Sequence, residues 1–340
     1  MVSEKKLIID QVSCWLQVFN DGTADRSWTG PPEYEFMVKP VPSHDTYIDG
    51  VATRDVMLDS NSGVSVRIYL PELTPDEISS KAKFPVVLHF HGGGFCISRP
   101  DWYMYYAVYT RLARKARAIF VSVYMRLAPE HRLPAAFDDA YSALLWLRSL
   151  ARKESSEPWL DAKADFTRVF LIGDSSGGNV VHQVAARAGE EEWFPMKLAG
   201  GIPIHPGFMR SERSESESQL QYQTPFLTLE MLDKFMSFSL PIGSTKDHPF
   251  TCPMGAHAPP LGALNLPPFM VVVAEHDLMK DTEMEYCEAM KKAGKNVEVF
   301  FNQSIGHSFY LNKAAVDMDP HTGDQTERLF SAITDFINRH

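Results

Sequence analysis

Short runs of unbroken apolar residues alternate along this chain with longer stretches whose apolar positions recur at helical spacing. The runs at 85–90, 118–124, 168–172, 198–204, 269–274 and 297–301 predict strands covered on both faces, since a strand with one wet face would alternate. Between and after them, 105–115, 136–150, 179–188, 282–293 and 326–338 predict helices. Parallel strands need such crossovers, so the pattern predicts an α/β fold with a mostly parallel central sheet and helices on both faces. Residues 51–70 differ: Val64, Val66 and Ile68 alternate with polar neighbours after the turn triplet Asn61-Ser62-Gly63, which predicts an antiparallel hairpin near the N-terminus.

Two segments fall outside this rhythm. About the first 45 residues carry Trp15, Trp28 and four prolines, Pro31, Pro32, Pro40 and Pro42, with no strand pattern. Residues 207–265 interrupt two strong strands, opening on the charged run 210–218, expected to be solvated, and continuing into a predicted helix at 229–238. Long insertions in compact domains are usually functional, and open α/β sheets bind ligands at the C-terminal strand edge. The expectation is one domain over 1–340 with a cap built from about 1–45 and 207–250.

Composition narrows the function classes. Hydrophobic residues make up 44% and charged residues 22% of the 340, the balance of a folded globular chain. A net charge of −10 with no basic patch argues against nucleic acid or anionic membranes as partners. Cys14, Cys96, Cys252 and Cys287 are far apart and form no CxxC pair, so reduced thiols are expected. The first residues interrupt their apolar run with charges, and no stretch of about 18 apolar residues occurs; a cytoplasmic location is expected.

The chemistry concentrates at strand ends. Gly173-Asp174-Ser175-Ser176-Gly177 follows an apolar strand and precedes a helix, the setting a nucleophile elbow requires. Serine is a weak nucleophile until a base activates it, and a base must be oriented by an acid. Asp277 lies in the loop after the 269–274 run and His307 beyond the 297–301 run, giving the order Ser, Asp, His at three C-terminal strand ends. His91-Gly92-Gly93-Gly94-Phe95 follows the 85–90 strand, and its glycines let backbone N–H groups turn toward a ligand. The expected oxyanion donors are the N–H groups of Gly93, Gly94 and Ser176.

These strings, with Arg126-Leu127-Ala128-Pro129-Glu130-His131-Arg132-Leu133-Pro134-Ala135, Asp277-Leu278 and Gly306-His307, resemble the plant carboxylesterases of the hormone-sensitive-lipase-like α/β-hydrolase group. The resemblance covers nearly the whole chain and departs at Tyr124-Met125-Arg126, where the group more often reads Asn-Tyr-Arg. It implies an α/β-hydrolase fold with a cap, a triad of Ser175, Asp277 and His307, and hydrolysis of small, largely apolar carboxylic esters. The same group contains gibberellin receptors, which have lost the histidine, and hydroxyisoflavanone dehydratases and cyclases. A lyase or a non-catalytic hormone receptor is therefore the alternative. Arg126 and Glu130 are expected to brace loops by ion pairing.

The expected reaction runs through an acyl-enzyme and needs no metal or organic cofactor. Phe95, Phe208, Phe235, Phe238 and Phe309, with Trp15 and Met209, are the candidates for an apolar substrate pocket. The expected partner is the ester itself, and the protein a monomer or weak dimer.

Overall fold

The computed structural model of the chain describes residues 6–59 and 63–340. The unbroken run 85–90 enters a fully buried strand, but two expectations differ: the alternating stretch 64–68 is also covered on both faces, because Arg67 is buried in a pair with Asp55 at 2.7 Å, and the 297–301 run is half-buried with Phe301 exposed. Strands β1 (Ile8–Val12), β2 (Leu16–Phe19) and β3 (Ala24–Asp25) make a small antiparallel sheet of their own. The main sheet begins with β4 (His44–Ile48), β5 (Val51–Met57) and β6 (Ser65–Pro71), all antiparallel to their neighbours. It continues with β7 (Phe84–Phe90), β8 (Ile119–Tyr124), β9 (Ala164–Asp174), β10 (Leu198–Ile204), β11 (Phe269–His276) and β12 (Val297–Gly306), which pair in parallel. The spatial order is β12-β11-β10-β9-β7-β8-β6-β5-β4. All seven residues of β7 are buried, as an unbroken apolar run demands.

Among the described residues the helices are α1 (Pro75–Ser79), α2 (Tyr103–Ala116), α3 (Ala135–Ala151), α4 (Pro158–Lys163), α5 (Ser176–Ala188), α6 (Leu229–Ser239), α7 (Lys280–Lys292), α8 (Lys313–Met318) and α9 (Pro320–Arg339). The pairs α2 with α9 and α3 with α5 pack on the sheet, and α7 packs on β11 and β12. Local chemistry sets several boundaries. Thr228 and Asp319 accept from Met231 N and Thr322 N to start α6 and α9, with Pro320 at the first helical position of the latter. Arg117 adopts a left-handed conformation (φ 48°) where α2 ends.

The hairpin β5–β6 forms as expected, with Val66 opposite Val56; Asn61 and Ser62 of its turn lie outside the described residues. The N-terminal segment holds β1–β3 and part of β4, which the sequence pattern did not predict. These strands are two to five residues long, and β4 is half-buried at one residue and exposed at the rest, so no alternation marks it. The run 210–218 also differs from expectation: Ser214, Ser216 and Glu217 are buried. Their polar atoms find partners inside the fold, with Glu217 paired to Arg213 at 2.8 Å.

The two segments outside the sheet meet each other. Lys234 Nζ on α6 donates to Asp10 Oδ1 (3.0 Å) and to the Gln11 carbonyl (2.8 Å) on β1. The Phe226 ring packs edge-on to Tyr34 and tilted against Trp15. Arg26 ties the N-terminal segment to the main body through the carbonyls of Cys96 (2.6 Å) and Ala128 (2.9 Å) and through Glu130. Arg126 bonds Asp139 instead, Nη2 to Oδ1 at 2.8 Å. Both residues of the Arg126–Ala135 string thus brace loops, each with a different partner. The four cysteines are free thiols.

Candidate active site

The turn between β9 and α5 is crowded enough to explain its glycines. A Cβ on Gly177 would lie 2.0 Å from the Phe90 carbonyl oxygen, and one on Gly173 would lie 2.3 Å from the Gly177 oxygen. Only glycine lets α5 leave β9 this sharply beside β7. Ser175 at the apex has φ 53° and ψ −122°, a region costly for a residue with a Cβ. Its amide donates to the Ile204 carbonyl (2.9 Å) and its carbonyl accepts from Gly178 N and Gly207 N, which fix the turn on β10.

The β7–α2 loop lies beside this elbow. Gly93 (φ 97°) and Gly94 (φ 60°) hold left-handed conformations, and a Cβ on Gly94 would meet the Phe235 ring at 2.4 Å. Gly92 N donates to Tyr105 Oη (3.1 Å), which donates to Asp174 Oδ2 (3.2 Å), so a buried tyrosine ties the glycine loop to the residue before Ser175. Phe95 N donates to Ser176 Oγ (3.2 Å), a second tie between loop and elbow. The amides of Gly93 and Gly94 donate to no protein acceptor among the described residues. Both glycines and Ser176 line the same cavity as Ser175.

His307 and Asp277 come together. His307 Nδ1 lies 2.5 Å from Asp277 Oδ2, and Asp277 is fully buried. The other carboxylate oxygen accepts from Met279 N (2.9 Å). Burial pushes the Asp277 carboxyl up, but the His307 charge and hydrogen bond, helped by His205 and the Met279 amide, hold it below the usual range. His205 Nδ1 accepts from Ser308 N (3.0 Å) beside His307, and burial depresses its pKa to about 3, keeping it neutral. Glu283, also fully buried, is pushed well above the usual carboxyl range by burial and then by Asp277. Among the described residues, the one group of three potential metal donors is His205, Asp277 and His307, with atoms within 4.8 Å of one another. The Asp277–His307 bond and the Ser308 amide already engage these groups.

Ser175, His307, Gly93, Gly94 and Ser176 face one cavity of about 270 Å³ at the C-terminal ends of the parallel strands. Of the expected pocket residues, Trp15, Met209, Phe235 and Phe309 line it. Phe95, Phe208 and Phe238 are not on its wall. Phe95 packs edge-on to Phe137 and Phe208 against Tyr286 at 4.4 Å, each satisfying a core contact rather than facing the void. The wall holds instead Met37, Met104, Met236 and Met279, a set no periodicity marks. Fifteen methionines in the chain were the available signal.

Comparison with known proteins gives the family. A family model described as alpha/beta hydrolase fold matches residues 87–311. The chain belongs to the α/β-hydrolase family. It is 36% identical over 305 residues to the Arabidopsis thaliana protein named "Probable carboxylesterase 6", covering 89% of this chain and 85% of that one. It is 35% identical over 300 residues to a gibberellin receptor of the same plant, covering 86% and 83%. A hyperthermophilic esterase from Pyrobaculum calidifontis superposes with a TM-score of 0.66 at 25% identity, over 84% of this chain and 82% of that one. No helix among the described residues is long and apolar enough to cross a membrane.

Proposed function

We propose that this protein is a carboxylesterase that cleaves small, largely apolar esters through an acyl-enzyme on Ser175. The observation that carries the reading is the 2.5 Å bond between His307 and the buried Asp277 carboxyl, with His307 on the wall of the cavity that Ser175 lines. Asp277 accepts from Nδ1, so the neutral imidazole is held in the tautomer whose Nε2 is free to take a proton. His307 removes the Ser175 proton as Oγ attacks the ester carbonyl. The N–H groups of Gly93, Gly94 and Ser176 stabilise the oxyanion, and His307 then protonates the departing alcohol. A water activated by His307 cleaves the acyl-enzyme and releases the acid. The N-terminal segment and residues 207–250 act as a cap, since Trp15, Phe226 and Phe235 supply wall residues from both.

The likeness to a gibberellin receptor favours a second reading, binding without turnover. An intact histidine–aspartate pair weighs against it, because a binding site has no need of a base held to an acid. A lyase remains the other alternative within the group. Turnover of p-nitrophenyl butyrate by the wild type that disappears in Ser175→Ala supports the esterase. A folded wild type with no turnover of short p-nitrophenyl esters and micromolar binding of a small apolar acid refutes it, as does an elimination that survives Ser175→Ala.

A further inference from the structure

The strap 210–218, rich in serine and charge, leads from β10 toward α6, and within it Ser216 is 2% exposed. Its hydrogen bonds converge on the turn Leu278–Asp281, which directly follows Asp277 and runs into the first two residues of α7. Ser216 Oγ donates to the Leu278 carbonyl at 2.8 Å and accepts from Asp281 N at 3.2 Å. Ser216 N donates to Asp281 Oδ2 at 2.7 Å. One residue thus makes three bonds to a turn of four. The same turn orients the acid, because Met279 N, inside it, is the donor that holds Asp277 Oδ1.

We propose that Ser216 is a positioning residue for ester hydrolysis: by clamping the Leu278–Asp281 turn it keeps Asp277 Oδ2 on His307 Nδ1. The inference rests on the esterase reading above. Without Oγ, a buried carbonyl and a half-buried amide lose their shared partner, and the turn relaxes to find others. The carboxylate follows the turn, since Met279 N is its second anchor. His307 is then held less firmly in the tautomer and orientation that proton transfer from Ser175 requires.

The strap also reaches the cavity wall. Arg213 pairs with Asp233 on α6 and with Glu217 at 2.8 Å, and Lys246 Nζ bonds Asp233 at 2.9 Å. Ser214 and Glu217 bond each other reciprocally, Ser214 N to Oε2 at 2.9 Å and Glu217 N to Oγ at 3.3 Å, which stiffens the strap between these ends. α6 carries Phe235 and Met236 of the wall. A continuous set of contacts therefore joins the wall helix to the acid of the proposed triad.

The test compares Ser216→Ala with Ser218→Ala, which removes a hydroxyl of the same strap that, among the described residues, bonds the Ser214 carbonyl at 3.3 Å. Active sites are counted with an organophosphate, and kcat and KM are measured per active site with p-nitrophenyl butyrate. Ser216→Ala is expected to lower kcat about tenfold, less than the roughly 100-fold that a full ångström of misplacement costs, with KM within about twofold. The far-downfield proton resonance of the His307–Asp277 bond is expected to shift upfield or broaden. Ser218→Ala leaves all three at wild-type values. Asp281→Asn, a conservative change at a partly exposed site, should move kcat the same way by about two- to threefold, and it stands in if Ser216→Ala does not fold. Unchanged kcat and resonance in Ser216→Ala, or in Asp281→Asn where the first is insoluble, overturn the positioning role even if stability falls. Absence of turnover in the wild type would instead overturn the esterase reading.

Discussion

Gly94→Ala puts the oxyanion assignment to a quantitative test. The added Cβ would lie 2.4 Å from Phe235 Cγ and 2.6 Å from two further Phe235 carbons, at a residue with φ +60°. Carbon atoms rest at about 3.5–4.0 Å, so ring or loop must give by about 1 Å. Alanine in the left-handed region adds roughly 1–2 kcal/mol, which favours movement of the loop. An oxyanion donor works only at about 2.7–3.1 Å, and losing one costs about 2.7–4 kcal/mol, or roughly 100- to 1,000-fold in kcat. Gly94→Ala is therefore expected to lower kcat on p-nitrophenyl butyrate by about 100-fold while KM changes little. Phe235→Ala removes Cγ and the ring and leaves Cβ as the one close Phe235 atom, so the double variant Gly94→Ala/Phe235→Ala should recover about tenfold over Gly94→Ala, with Phe235→Ala alone as the reference for kcat and KM. Wild-type kcat in Gly94→Ala, or a double variant no faster than the single one, would refute the reasoning.

His182 is buried with Nδ1 on Tyr286 Oη at 2.9 Å, and burial lowers its pKa from 6.5 to about 4. The unfolded chain binds this proton first, so the contribution is complete above about pH 6.5 and is lost as pH falls toward 4, about 3 kcal/mol in all. Urea unfolding across that window should show His182→Gln with a shallower pH slope than wild type, by up to about 1.4 kcal/mol per pH unit; parallel curves would contradict it. Glu283 is shifted the other way, by burial and then by Asp277, so keeping it neutral costs more with each pH unit above its unfolded value of about 4.3. Glu283→Gln is expected to raise the Tm at pH 8 and to leave it unchanged near pH 4. A gain of equal size at both values would show that the carboxyl proton is not the cause.

The parallel sheet was legible because β7 to β11 are buried on both faces, and burial of that kind leaves unbroken apolar runs. The elbow was legible for a related reason: glycines at 173 and 177 are required by atoms 2.0–2.3 Å from where their Cβ would sit, so the motif is a packing constraint written in residue type. β1 to β4 left no such mark, being short and at least half exposed at many positions. The cavity wall was legible only in part. An aromatic residue near the site serves a wall or a core equally well by pattern, and Phe208 went to Tyr286 while Phe235 went to the void. The strap shows the reverse error, because a run of serines, arginines and glutamates reads as solvated unless each charge has a partner. Here Arg210 has Glu285, Arg213 has Asp233 and Glu217, and Ser216 has the turn after Asp277. Apart from Glu217, four residues from Arg213, these partners come from distant parts of the chain and leave no local signal.

Activation of the Ser175 hydroxyl is the claim on which the esterase reading stands. Intact-mass spectrometry after exposure to diethyl p-nitrophenyl phosphate, followed by peptide mapping, measures it without knowledge of the natural substrate. One diethylphosphoryl group per chain on Ser175 is predicted, with none in Ser175→Ala and markedly slower labelling in His307→Gln. A wild-type protein that stays unlabelled, or labels at the same rate when His307 is replaced, would contradict it.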